Sequence, residues 1–214
     1  MDLLARAAPL LVDALLMTLF LGVTSFLIGC VIGLGVALAR LFGGPPLRAL
    51  AVGYVSIVRG TPLLIQLLLI YFGLPQFGII LEPIPAALIA LSLHAGAYLA
   101  ENFRSGILAV DKGQWEAAYS LGMPFWRAFQ RIALPQAARV ATPPVGSRFI
   151  ALIKDTSLAS VVTVVELTSV AESIGSSTFR YMEMFVIVAV IYWLVNSALS
   201  LGQEVLERRM ARAY

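Results

Sequence analysis

Few residues in this chain could do chemistry. Cys30 and His94 are its single cysteine and single histidine, which leaves no disulfide, thiolate metal site or histidine cluster to build. The two lysines, Lys112 and Lys154, follow Asp111 and Ile153, so there is no G-x-x-x-x-G-K-[ST] phosphate cradle. No cofactor is expected, and any energy must come from a partner. What remains is recognition by polar side chains set in apolar surroundings. Arg148, Lys154 and Asp155 interrupt the apolar run 140–165, where each charge at membrane depth costs about 2.5–3.5 kcal/mol. Thr156, Ser157 and Ser160 add hydroxyls beside them. Thr61 and Gln66 stand in a second apolar stretch, and Glu166 lies just past the first. Interrupted helices carrying polar groups are where transporters place a solute or a gate; the alternative is that Arg148 and Lys154 snorkel to a boundary. His94 has no second ionisable group at helical spacing in its run and reads as a hydrogen-bonded packing residue.

The elements that carry these residues are membrane spans. Hydrophobic residues make up 60% of the 214 and charged ones 13%, against roughly a quarter charged in soluble domains, and the mean hydropathy is +0.90. The bases form no polar patch interleaved with aromatics, which excludes a nucleic-acid reading. Residues 14–39 are uncharged and long enough to cross a bilayer with tilt; Gly29, Gly33 and Gly35 offer a flat strip for a neighbouring helix. A second helix is predicted from about 46 to 72, loosened at Pro62. Further spans fall at 83–100, at 140–165 with Pro143-Pro144 breaking it, and at 184–203. Glu101 and Arg104 can pair at the exit of the third.

Basic residues sort to one side. Arg40 and Arg48, then Arg104, Lys112, Arg127, Arg131 and Arg139, then Arg208, Arg209 and Arg212 alternate with ends bearing Asp2, Arg6, Glu82, Glu166, Glu172 and Arg180. The positive-inside rule then gives an all-α membrane protein of five transmembrane helices, N-terminus out and C-terminus in. Residues 1–214 read as one domain.

Between the third and fourth spans lies one long polar interruption, 111–135. Asp111 is placed as an N-cap with Gln114 completing a capping box, and Gly122 as the left-handed residue ending that helix. Pro124 opens a second helix, which Leu134-Pro135 ends. On it Phe125, Phe129 and Ile132 share one face and Arg127 and Arg131 the other. Two short helices joined by a glycine on the inner side make a docking elbow.

The spacing Glu116-Ala117-Ala118, Gly122, Ile132-x-Leu134-Pro135 resembles the EAA loop of ABC importer permeases. Three further stretches resemble their polar amino-acid branch: Arg59-Gly60-Thr61-Pro62-Leu63-Leu64-x-Gln66, Ala97-Tyr98-Leu99-Ala100-Glu101-x-Phe103-Arg104, and Lys154-Asp155-Thr156-Ser157-Leu158-Ala159-Ser160. The resemblance implies a bacterial inner-membrane permease subunit that is not itself an enzyme. It implies a second permease subunit (the same chain or a paralogue), two ATPase subunits that bind the ATP, an extracytoplasmic substrate-binding protein, surrounding lipid and no nucleic acid. The EAA loop would be cytoplasmic. Glu116, Ala117, Ala118, Gly122, Phe125, Trp126, Arg127 and Phe129 would couple to the ATPase, with Phe125, Trp126 and Phe129 supplying buried contacts in its groove. An amino-acid zwitterion needs partners for its carboxylate and ammonium, and Thr61, Gln66, Asp155, Ser157 and Glu166 are the candidates; a cationic substrate would favour Asp155 or Glu166. An ion-coupled carrier or small channel would also explain the spans and His94, but not the EAA spacing.

Overall fold

A computed structural model describes residues 2–211, with side chains for 7–210. Asp2, Arg6 and Arg212, used above in counting charge, therefore lie outside the described side chains. All regular elements among the described residues are helical. α1 (Asp2–Phe42) is followed by α2 (Pro45–Gly60), α3 (Leu63–Leu68) with a π turn (Leu69–Gly73) and a 3-10 turn (Leu74–Phe77), then α4 (Pro83–Leu108). α5 (Lys112–Ser120) and α6 (Phe125–Ala128) form the elbow. A π turn (Phe129–Ala133) leads into α7 (Leu134–Asp155), a 3-10 turn (Thr156–Val162), α8 (Leu167–Thr178) and α9 (Tyr181–Ala211).

Three helices are long and apolar enough to cross a membrane: Ala7–Phe42, Pro83–Leu108 and Tyr181–Met210. Pro45–Gly60 and Leu63–Phe77 together make a fourth, broken one, bent by 108°. The second expected span is thus two helices and not one loosened helix. Pro62 lacks an amide hydrogen and pushes Thr61 out of the helical region; Thr61 is extended at φ −119°, ψ 143°. The expected fourth span does not reach the apolarity of the others, because Arg148, Lys154 and Asp155 sit in α7.

Pro143 and Pro144 do not break α7 as the sequence suggested; the helix runs through them. Side chains bond carbonyls of the turns around the prolines, two of them reaching in from neighbouring helices. Thr142 Oγ1 donates to the Ala138 carbonyl at 2.7 Å, Asn102 of α4 to that of Pro144 at 3.1 Å, and Gln203 of α9 to that of Pro143 at 3.0 Å. Leu134-Pro135 likewise fails to end the elbow helix. The amide lost at Pro135 is absorbed by the π turn just before it, and the chain continues as α7.

The core is the α1–α4 contact, extended by α3 and α7. Leu21, Leu67, Leu91, Leu99 and Leu152 are completely buried there. The glycine strip works as spacing implied, at two of its three positions. A Cβ on Gly29 would stand 2.9 Å from the Ala95 Cβ, and one on Gly33 would stand 2.8 Å from the Leu99 Cβ and 3.0 Å from the Ala100 nitrogen. Only hydrogen fits at so close a crossing. Gly35 faces open space. A second cluster packs α8 against the N-terminal ends of α1 and α9, through Leu11, Ala14, Leu167, Ala171 and Met184.

Candidate functional site

Two arrangements stand out, the elbow and a polar cluster at the break between α2 and α3. In the elbow, Asp111 caps α5 by accepting from the Gly113 amide at 2.7 Å. The reciprocal half of a capping box does not form. Gln114 instead accepts from Gln136 of α7 at 3.4 Å. α5 ends in a Schellman motif: Gly122 is left-handed at φ 73°, its amide donates to the Tyr119 carbonyl at 2.9 Å, and the Met123 amide donates to that of Ala118 at 3.1 Å.

Around this turn the aromatics stack. Trp115 lies over Phe125 at 5.9 Å, Trp126 over Phe129 at 5.5 Å, and Phe42 at the C-terminal end of α1 meets Phe125 edge-on at 5.1 Å. Their exposures divide the roles. Phe129 is 5% exposed and packs with Ile107, Val110, Ala133 and Ala137 in the chain's own core. It supports the elbow from beneath instead of presenting itself to a groove. Trp126 is 58% exposed and Phe125 42%. Glu116, Ala117, Gly122 and Arg127 are exposed as well, whereas Ala118 is buried. Leu121, at 81% exposure, is the most prominent apolar side chain of the elbow and was missed. Its place directly before the helix-ending glycine was the available signal.

The polar cluster is built by α2, α3, α4 and α7. Gln66, one turn into α3, donates to the Val58 carbonyl at 2.8 Å and to Thr61 Oγ1 at 2.9 Å, and its own oxygen meets His94 Nδ1 at 3.3 Å. His94 therefore is the hydrogen-bonded packing residue expected of it. Its ring lies 5.1 Å from that of Tyr98, one turn along α4. Tyr98 carries two guanidinium groups: Arg148 with its central carbon 4.7 Å from the ring centroid, and Arg59 at 5.2 Å. Arg148 donates to Asp155 Oδ2 at 2.8 Å. Arg59 reaches Glu101 at 3.5 Å; Glu101 is already held by Arg40 and by Arg104, its expected i+3 partner, at 2.9 Å.

Thr61, Gln66 and Asp155 are thus brought onto one connected set of side chains. Asp155 pairs along its own helix, with Arg148. Ser157 turns back, donating to the Lys154 carbonyl at 2.8 Å. Glu166 is elsewhere. It is fully buried, caps α8 by accepting from the Ser169 amide at 2.9 Å, and accepts from the Tyr192 hydroxyl at 3.0 Å. Its role is structural. Arg59, Tyr98 and Arg148 were not picked as contacts, because an isolated sequence does not show that three separate helices converge.

Residues 29–212 match the family described as binding-protein-dependent transport system inner membrane component. The chain is 45% identical over 205 residues to the L-cystine transport system permease protein TcyB of Bacillus subtilis, covering 95% of this chain and 88% of that one. It is 39% identical over 206 residues to the glutamine transport system permease protein GlnP of Escherichia coli, covering 95% and 94%. Among solved structures, an amino acid ABC transporter crystallised with histidines superposes with a TM-score of 0.92 at 40% identity, covering 96% of each chain. A methionine ABC transporter shares the fold at a TM-score of 0.82 and 22% identity. With the family's model matching most of its length, this chain belongs to the inner membrane components of binding-protein-dependent transport systems.

Proposed function

We propose that the chain carries polar amino acids inward as the membrane-spanning subunit of an ATP-binding-cassette importer. The observation that carries this reading is the likeness to an amino acid ABC transporter over 96% of the chain, together with an elbow that exposes Leu121, Phe125 and Trp126 in a chain without a phosphate cradle. Five spans, N-terminus out, put the elbow in the cytoplasm. There two ATPase subunits, one per permease, receive Leu121, Phe125 and Trp126, with Glu116 and Arg127 as polar contacts at the rim. Gly122, Ala117 and Ala118 shape the turn, and Phe129 anchors it to α1 and α4.

ATP-driven closure of the ATPase pair moves the elbow. Because the π turn joins it without a break to α7, and Gln136–Gln114 ties α5 to the same helix, the displacement is delivered to α7. Arg148 and Asp155 lie on α7, so the same motion changes their distance from Arg59 and Tyr98 on α2 and α4. A site that opens and closes in this way needs no chemistry of its own. A second permease, the same chain or a paralogue, completes the pathway, and an extracytoplasmic binding protein delivers the solute. Thr61, Gln66, Asp155 and Ser157 remain the proposed solute contacts, now with Arg59, Tyr98 and Arg148; Glu166 is no longer among them.

The test is uptake into proteoliposomes holding permease and ATPase. Radiolabelled amino acid should accumulate with ATP and binding protein present and no ion gradient. Accumulation driven by a proton or sodium gradient without ATP would instead favour an ion-coupled carrier.

A further inference from the structure

The charge around Tyr98 is unbalanced in one direction, and this deepens the proposed function, on which it rests. Two carboxylates contact this cluster among the described residues, Glu101 and Asp155, against four guanidinium groups, of Arg40, Arg59, Arg104 and Arg148. Glu101 is shared by three of the four. Arg40 and Arg104 take its oxygens closely, so Arg59 at 3.5 Å is the weakest held, and its side chain is 42% exposed. Arg148 is committed to Asp155 through one terminal nitrogen, while its Nε is buried with no hydrogen-bond partner. Lys154, the neighbouring cation, stands apart from this set; it lines a separate cleft between α7 and α9 with Glu204 and Glu207. Glu166, the other carboxylate a cationic substrate would have used, is sealed under α8.

We infer that the site takes an amino acid bearing a second carboxylate. Its ammonium group meets Asp155, and its two carboxylates meet Arg148 and Arg59. The counts match: two guanidinium groups and one carboxylate that can be offered to a solute, against two carboxylates and one ammonium. Both guanidinium groups lie against the one ring, Arg148 at 4.7 Å and Arg59 at 5.2 Å from its centroid, so one small solute can address both. Tyr98 holds the two cations in place between solutes by lending each a π face, which offsets part of the cost of keeping like charges together in an apolar surround. A lysine or arginine side chain would bring a further cation into a cluster that already holds four guanidinium groups against two carboxylates.

The experiment measures equilibrium binding to the assembled permease–ATPase complex in nanodiscs, with the binding protein left out so that its own selectivity does not enter. The probes are radiolabelled L-glutamate, L-aspartate, L-glutamine and L-arginine. Glutamate or aspartate should bind at least tenfold more tightly than arginine, and more tightly than glutamine. Arg59→Gln should erase the preference for glutamate over glutamine. Arg148→Gln, which frees Asp155, should shift the preference toward arginine. Arg180→Gln, which alters an ion pair with Glu183 on the outer side of α9, should change nothing. Arginine binding as well as glutamate would overturn the inference, and so would glutamine matching both dicarboxylic probes. Failure of all four to bind, while ATP-driven amino-acid uptake proceeds, would overturn it and leave the importer reading intact. Absence of any ATP-driven uptake would remove both.

Discussion

Phe129 and Trp126 are three residues apart and in ring contact at 5.5 Å, yet the structure assigns them opposite consequences when truncated. Phe129 is 5% exposed against Ile107, Val110, Ala133 and Ala137. Replacing it with Ala leaves a cavity between the elbow and α4, and buried Phe→Ala changes cost about 3–5 kcal/mol. Trp126 is 58% exposed, so Trp126→Ala removes little burial within the chain. If it anchors in the ATPase, its loss should weaken association by about 2 kcal/mol, the onset of hot-spot behaviour, or roughly 30-fold in Kd at about tenfold per 1.4 kcal/mol. Both variants are assayed twice, by thermal unfolding of the purified permease and by titration with the ATPase in nanodiscs. Phe129→Ala should lower the unfolding temperature by several degrees, while Trp126→Ala leaves it near the parent value and weakens ATPase binding. The opposite division, with Trp126→Ala unfolding early and Phe129→Ala binding poorly at full stability, would refute the assignment of support and contact.

Other expectations follow from single positions. Gly122 is left-handed with nothing near its would-be Cβ, so strain alone sets the cost, roughly 1–2 kcal/mol for an ordinary side chain. Transport per ATP should fall in Gly122→Val and be much less affected in Gly122→Asn, which tolerates that conformation; equal losses would mean the turn geometry is unimportant. Gly33→Leu places a side chain where a Cβ would already meet the Ala100 nitrogen at 3.0 Å, and should cut the yield of folded protein in the membrane, while Gly35→Leu should not. Glu166→Ala removes a helix cap and strands the Tyr192 hydroxyl, at about 1–3 kcal/mol. It should lower thermal stability without changing solute affinity in the protein that remains folded, and a selective loss of affinity would return Glu166 to the solute site.

Much of the architecture was legible because it rests on local rules. Long uncharged runs marked α1, α4 and α9, and the glycine ending α5 was read from its spacing. The misreadings share a cause. At Pro143, Pro144 and Pro135 the local rule says a helix must stop, but the helix continues, held at the first two by Asn102 of α4 and Gln203 of α9 on the prolines' own carbonyls and entered at the third through a π turn. At Pro62 the Gln66 side chain donates to the Val58 carbonyl that the missing amide leaves free, yet the chain still turns through 108°. Nothing local separates these prolines. The solute site was half legible for the same reason. Thr61, Gln66 and Asp155 announced themselves as polar residues in apolar runs, but Tyr98 and Arg59 matter only because α2, α4 and α7 meet. Glu166 looked equally available until α8 closed over it.

The central claim is that the elbow transmits work from a separate ATPase. The direct measurement is crosslinking from Leu121→Cys in a Cys30→Ala background, in membranes containing the full transporter. The account expects an adduct with the ATPase subunit whose yield changes between ATP-bound and nucleotide-free states, with no labelling of the cysteine by an impermeant thiol reagent added outside intact cells. Labelling from outside, or no adduct with a nucleotide-hydrolysing subunit in either state, would contradict it.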